Sequence, residues 1–193
     1  MKIQTKEIFT ISNMLSMLRL LLSIPIFYML YYLHDAAFST RLAIAAALLF
    51  AASTDWMDGY FARKRNEITE MGKIIDPLAD KVAIAVIVIQ LFLLGEIPAY
   101  FFYIVIARDV LIFLGGIIIT SRLGKVLPSN MLGKITVTVI AVYILAIVLG
   151  AKLYAPAIHY LLEYISVILV IASFTGYVIR ANESLKWKKN GSV

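Results

Sequence analysis

Residues 41–63 read Arg41-Leu-Ala-Ile-Ala-Ala-Ala-Leu-Leu-Phe50-Ala-Ala52-Ser-Thr-Asp55-Trp-Met-Asp58-Gly59-Tyr-Phe-Ala62-Arg63, and the length of the helix they form decides the fold. The clean apolar run stops at Ala52. That is too short to cross a hydrocarbon core of ~30 Å, which takes roughly 20 residues. The helix must therefore continue through Asp55 and Asp58, carrying two carboxylates into the membrane. At about 1.5 Å per residue, Asp55 lies roughly 21 Å from Arg41. After eight intervening residues comes Gly72-Lys-Ile-Ile-Asp76-Pro-Leu-Ala-Asp80, which opens an apolar run ending at Gly95. On the same rise Asp80 lies about 22 Å from that end. The two depths agree, so both carboxylate pairs fall in one layer, some ~8 Å inside the core.

On a helix Asp55, Asp58, Gly59, Ala62 and Arg63 form one stripe, and Gly72, Asp76 and Asp80 form another at i, i+4, i+8. Gly59 and Ala62 leave room for a bulky group against the backbone. Four carboxylates in one layer repel one another unless cations lie between them. The bland alternative, two acidic patches solvated on a loop, fails because the apolar flanks leave no loop large enough. The chain has no cysteine, and His34 and His159 both map to the opposite face, so the donors are oxygen only. Oxygen donors select a hard cation, Mg²⁺ or Mn²⁺. Two such ions stabilise displacement at phosphorus, and Arg63, Lys64 and Arg65 add the positive charge a diphosphate requires.

The 193 residues are 62% hydrophobic and 16% charged, with a mean hydropathy of +0.89. In water such a chain would expose too much apolar surface. The fold class is all-α: a polytopic membrane protein of one domain, residues 1–193, with six transmembrane helices. Expected spans are 14–33, 41–62, 74–94, 98–120, 134–150 and 157–179. Residues 1–12 read as an interfacial amphipathic segment, with Ser12-Asn13 as a helix cap, and 180–193 as a basic tail. The first span lacks a cleavage site and is too long for a signal core, so it reads as retained. The net charge of +6 suits a membrane surface rather than nucleic acid. Lys2, Lys6, Arg63, Lys64, Arg65, Lys73, Arg122, Lys125, Lys134, Arg180, Lys186, Lys188 and Lys189 fall on the side of the N-terminus, against Arg41 and Lys152 on the other. Both termini and the acidic motif are therefore expected on the cytoplasmic side.

The motif resembles the signature of the CDP-alcohol phosphotransferases, D-x2-D-G-x2-A-R-x8-G-x3-D-x3-D. Asp55, Asp58, Gly59, Ala62, Arg63, Gly72, Asp76 and Asp80 match it at every fixed position and gap. The resemblance implies an enzyme that moves a phosphatidyl group from CDP-diacylglycerol to an alcohol and releases CMP. It implies that Asp55, Asp58, Asp76 and Asp80 hold two divalent ions. Asp58, Gly59, Ala62, Arg63, Gly72 and Asp76 would lie along the CDP, and Asp80 would serve as general base. A homodimer is also implied. With neither Cys nor His at this level, direct attack by the acceptor is preferred to a covalent intermediate.

The acceptor is read from two further stretches. Asn13-Met-Leu15-Ser-Met-Leu-Arg19 and Asp76-Pro-Leu-Ala-Asp80-Lys81 resemble the branch of bacterial phosphatidylglycerophosphate synthases, although Ser12 stands where those usually have proline. The branch implies sn-glycerol 3-phosphate as acceptor and a bacterial cytoplasmic membrane. A phosphorylated acceptor needs its own cationic pocket. Arg108, roughly 16 Å from the far end of its span, is an intramembrane arginine and so a functional candidate. Its bland reading is an ion pair with Asp109 or the acidic site. Lys81, Arg122, Lys134 and Arg180 are further candidates or interfacial anchors, and Ser129-Asn130 could add hydrogen bonds. Two alternatives stand beside this reading. One is a cardiolipin synthase of the same family using phosphatidylglycerol; the other is a cation transporter, for which acidic residues nearer the midplane and access from both sides are expected.

Overall fold

The computed structural model describes residues 11–65, 72–123 and 131–190; within these, side chains are described except at 11–13, 15–16, 55–65, 72–80, 121–123 and 187–190. Seven helices follow in order: α1 (Ile11–Tyr31), α2 (Phe38–Arg65), α3 (Gly72–Leu93), α4 (Ala99–Leu123), α5 (Met131–Val148), α6 (Ala151–Tyr154) and α7 (Pro156–Asn190). No strand occurs among the described residues. The helices form two compact units, residues 1–97 and 98–193.

Three helices are long and apolar enough to cross a membrane, Ala99–Thr120, Met131–Val148 and Pro156–Lys186; Met17–Tyr31, Phe38–Thr54 and Lys81–Leu93 are shorter apolar stretches. Large apolar side chains lie exposed along the helices, Leu21, Ile24, Leu49, Leu114, Ile117 and Ile168 among them. In lipid that face needs no protein cover, and the backbone bonds are satisfied within each helix. The chain is a helical membrane protein. Residues 1–10 of the expected interfacial segment lie outside the described residues. Ser12 and Asn13 lie within α1 rather than capping it from outside. At the other end α7 does not stop near 179: it runs to Asn190, and the described part of the basic tail is its last turns.

In the first unit α1 packs against both α2 and α3. Its buried residues are Arg19, Ser23, Ile26 and Leu30, one face at i, i+4, i+7, i+11. Ile44 and Leu48 of α2 and Ala83 and Leu91 of α3 are buried likewise. The end opposite the motif is closed by local bonds. Arg41 Nη2 donates to the Leu33 carbonyl at 2.9 Å, and His34 Nδ1 lies 3.3 Å from Glu96 Oε1. Helix α3 ends in a Schellman turn: Glu96 N–H bonds Leu91 O and Gly95 N–H bonds Phe92 O, both at 3.0 Å. Gly95 has φ 71°, a conformation that glycine adopts without a Cβ penalty.

In the second unit α7 packs against α4, α5 and α6. Gly115 lets α7 approach α4, since a Cβ there would sit 3.1 Å from the Tyr177 hydroxyl. Thr136 is fully buried; its hydroxyl donates to Leu132 O at 2.7 Å and lies 3.2 Å from Leu169 O across on α7.

Candidate functional site

The acidic motif is carried by continuous helix. Asp55, Asp58, Gly59, Ala62 and Arg63 lie within the 28 residues of α2, and Gly72, Asp76 and Asp80 within α3. The apolar stretch did have to run on into charged sequence, as its length required. The side chains of these eight residues are outside those described. Their register is fixed by the helices. Asp55 stands seven residues after the buried Leu48 and Asp80 three before the buried Ala83, helical spacings that share a register. The helix packed against both is α1.

At this end the packing surfaces change character. On α1 the stripe runs from Leu30 and Ile26 to Ser23 and then to Arg19, which is only 6% exposed. On α2 Thr54 is buried immediately before Asp55, its hydroxyl returned to Ala51 O at 2.7 Å. The sequence pattern used Arg19 only as the last residue of the Asn13–Arg19 resemblance and gave it no role in the site. The signal was available in its spacing to Ser23, Ile26 and Leu30, though a helix apolar on all sides does not announce which face is packed. Lys81, directly after Asp80, is half-buried.

The motif on α2 and α3 carries four aspartates and neither histidine nor cysteine. Such a set fits hard divalent cations. Among residues with described side chains, no group of three or more His, Cys, Asp or Glu could hold a metal ion.

Of the acceptor candidates, Arg108 is buried at 9% exposure. Its Nη1 lies 2.5 Å from Asp109 Oδ1, the ion pair anticipated as its bland reading. A Cβ at Gly133 would sit 3.5 Å from Arg108 Nη2, so the first turn of α5 passes close to the guanidinium. Lys134, next along, is exposed, and Arg180 is half-buried with Nε 3.4 Å from Gly176 O. Arg122 lies in α4 with its side chain outside those described, and Ser129 and Asn130 lie outside the described residues altogether.

A second polar cluster occupies the opposite end of α4, α5 and α7. The Tyr100 hydroxyl donates to Glu163 Oε1, and the Tyr143 hydroxyl donates to Oε2 at 3.1 Å. His159 Nε2 lies 3.4 Å from the Tyr143 hydroxyl and 3.7 Å from Glu163 Oε2. Tyr143, His159 and Glu163 are all buried, and Phe101 packs edge-on against Tyr143 at 5.1 Å. Here a carboxylate is satisfied by protein donors.

Comparison with known proteins adds to this geometry. The sequence model of the family described as CDP-alcohol phosphatidyltransferase matches residues 9–175. The chain is similar to the CDP-diacylglycerol–glycerol-3-phosphate 3-phosphatidyltransferase of Aquifex aeolicus, with 32% identity over 88% of this chain and 94% of that one. It is similar to the protein of the same name from Treponema pallidum, with 29% identity over 87% of each chain. To that of Bacillus subtilis it is 42% identical over 94 residues, 48% of each chain.

Proposed function

The chain belongs to the CDP-alcohol phosphatidyltransferase family, and from that premise we propose that it transfers a phosphatidyl group from CDP-diacylglycerol to sn-glycerol 3-phosphate. The products are phosphatidylglycerophosphate and CMP. The observation that carries the reading is the acidic motif, complete at its eight spaced positions and set on α2 and α3. The choice of acceptor is supported by the names of the relatives, glycerol-3-phosphate phosphatidyltransferases over most of this chain's length.

Asp55, Asp58, Asp76 and Asp80 are the residues to hold two divalent ions, Mg²⁺ or Mn²⁺. Bound there, the ions would neutralise charge on the diphosphate oxygens. Gly59, Ala62, Arg63 and Gly72, with Asp58 and Asp76, accommodate the CDP portion. Asp80 accepts the proton of the attacking hydroxyl. A bond forms from the hydroxyl oxygen of glycerol 3-phosphate to the lipid-side phosphorus, the phosphoanhydride bond breaks, and CMP departs with its electron pair. The acceptor's phosphomonoester needs cations, for which Arg108 is the first choice, with Lys81, Lys134, Arg122 and Arg180 after it. A guanidinium pairs with phosphate oxygens two at a time.

The whole chain acts as one domain of six spans, α1 to α5 and α7, in a bacterial cytoplasmic membrane, and as a homodimer. The excess of Lys and Arg beside one set of helix ends supports cytoplasmic termini and a cytoplasmic site. Purified protein is given CDP-diacylglycerol and labelled acceptors one at a time. Glycerol 3-phosphate is expected to give phosphatidylglycerophosphate with stoichiometric CMP. Preferred use of phosphatidylglycerol would instead make the chain a cardiolipin synthase.

A further inference from the structure

We propose that Arg19 is the fixed counter-charge of the aspartate layer, a positioning residue that holds the motif helices together before any metal binds; this rests on the reading of Asp55, Asp58, Asp76 and Asp80 as one cation site. The inference comes from three placements within the first unit. Arg19 lies on the packed stripe of α1 with Ser23, Ile26 and Leu30 and is 6% exposed. Helix α1 is packed against both α2 and α3, so that stripe faces the two helices that carry the acids.

The third placement is level. The contact of His34 with Glu96 at 3.3 Å brings the far ends of α1 and α3 together and sets a common origin. Arg19 stands twelve residues before Tyr31, and Asp80 thirteen before Leu93. At 1.5 Å per residue these are about 18 and 20 Å, so Arg19 is level with Asp80. Asp55, seventeen residues into α2, is about 26 Å from its start, one to two turns nearer the cytoplasmic end.

A buried guanidinium needs an anion. Of the other acids in residues 1–97, Asp35 and Glu96 belong to the opposite end, and Glu7, Glu67 and Glu70 lie outside the described residues. Among the acids carried by the described helices, Asp80 is the one level with Arg19, with Asp76 one turn further along α3. Four motif aspartates close together repel, and a cation built into the third helix of the bundle offsets part of that repulsion while the metal sites are empty. When divalent ions enter they take over most of this task. The arrangement gives Arg19 a signature that ordinary packing lacks: its contribution to stability depends on metal and on Asp80.

The test is a thermal-unfolding cycle on the full-length protein in detergent, in excess chelator and in Mg²⁺. In chelator Arg19→Gln is expected to lower Tm by about 10 °C, the scale of a broken buried pair. In Mg²⁺ it should lower Tm by less than half as much. In an Asp80→Asn background the chelator loss should shrink, because one repelling charge has gone. Arg19→Lys, which keeps the charge, should retain most of the wild-type Tm and keeps the test open should Arg19→Gln not fold. Equal losses in chelator, in Mg²⁺ and beside Asp80→Asn would make Arg19 a packing residue and overturn the proposal; so would Arg19→Lys behaving as Arg19→Gln. A wild-type protein that Mg²⁺ fails to stabilise would instead indict the cation-site reading, and the Arg19–Asp80 cycle in chelator would still decide the role of Arg19.

Discussion

Glu163 and the four motif aspartates are all acids within apolar helices, and they are provided for in opposite ways. Around Glu163 the protein supplies the donors itself, Tyr100 on α4 and Tyr143 on α5, with His159 Nε2 3.7 Å away, one turn earlier on α7. Each carboxylate oxygen has a partner within the protein. Helices α2 and α3 carry the four motif carboxylates within the stretch Asp55 to Asp80, which contains no histidine and, of tyrosines, Tyr60 alone. A buried carboxylate without donors is expensive. Four in one stretch of apolar helix are the chemistry that fits bound divalent cations. The satisfied carboxylate reads as structure, and the motif aspartates are the ones proposed for chemistry.

The comparison breaks most sharply at Asp55 and Asp76. Asp55→Asn or Asp76→Asn is expected to lower kcat by at least about a thousandfold, the scale of losing an essential electrostatic group, with the fold kept. In chelator the melting temperature should hold or rise, because mutual repulsion falls. A variant that keeps near-wild-type turnover would remove the site from α2 and α3.

Arg108 comes next, since it belongs to neither extreme: it is buried, yet already paired to Asp109 at 2.5 Å. If it also serves the acceptor's phosphate, Arg108→Ala raises KM for glycerol 3-phosphate by roughly ten- to a hundredfold, equivalent to about 1.5–3 kcal/mol. KM for CDP-diacylglycerol should move much less, and Arg108→Lys should rescue only in part, lacking the bidentate fork. Steady-state kinetics with each substrate varied in turn decides it. Equal shifts in both constants, with lost stability, would make the Asp109 pair its whole role.

The smallest effect on activity belongs to Glu163. Glu163→Gln exchanges one acceptor oxygen for a donor and leaves a tyrosine hydroxyl short of its partner. The expected loss is about 1–3 kcal/mol of stability, or roughly 2–10 °C in Tm for a chain of this size. Turnover per folded molecule should stay close to wild type. A large fall in kcat with unchanged Tm would move the cluster from structure to chemistry.

Much of this was legible because charge inside an apolar run is so costly that its position carries information. The count of residues between Arg41 and Ala52 alone required α2 to continue through Asp55, and it does. What the sequence concealed was the packed face. Helices apolar on every side do not distinguish lipid from protein neighbours, so the central place of α1 and the burial of Arg19 emerge only from the fold. The Tyr100–Tyr143–His159–Glu163 cluster draws on three separated segments, and no local spacing announces it. The single turn of α6 was likewise hidden; it depends on Gly150, whose φ of 83° ends α5 and starts the next turn. Helix α7 outran its apolar stretch because Arg180 to Asn190 contains no residue that breaks a helix.

The most direct test of the central claim is CMP release from CDP-diacylglycerol with glycerol 3-phosphate as sole acceptor, followed before and after excess chelator and then with Mg²⁺ or Mn²⁺ restored. An oxygen-only site of four aspartates predicts that release stops in chelator and returns with either ion. Full turnover in excess chelator would contradict it.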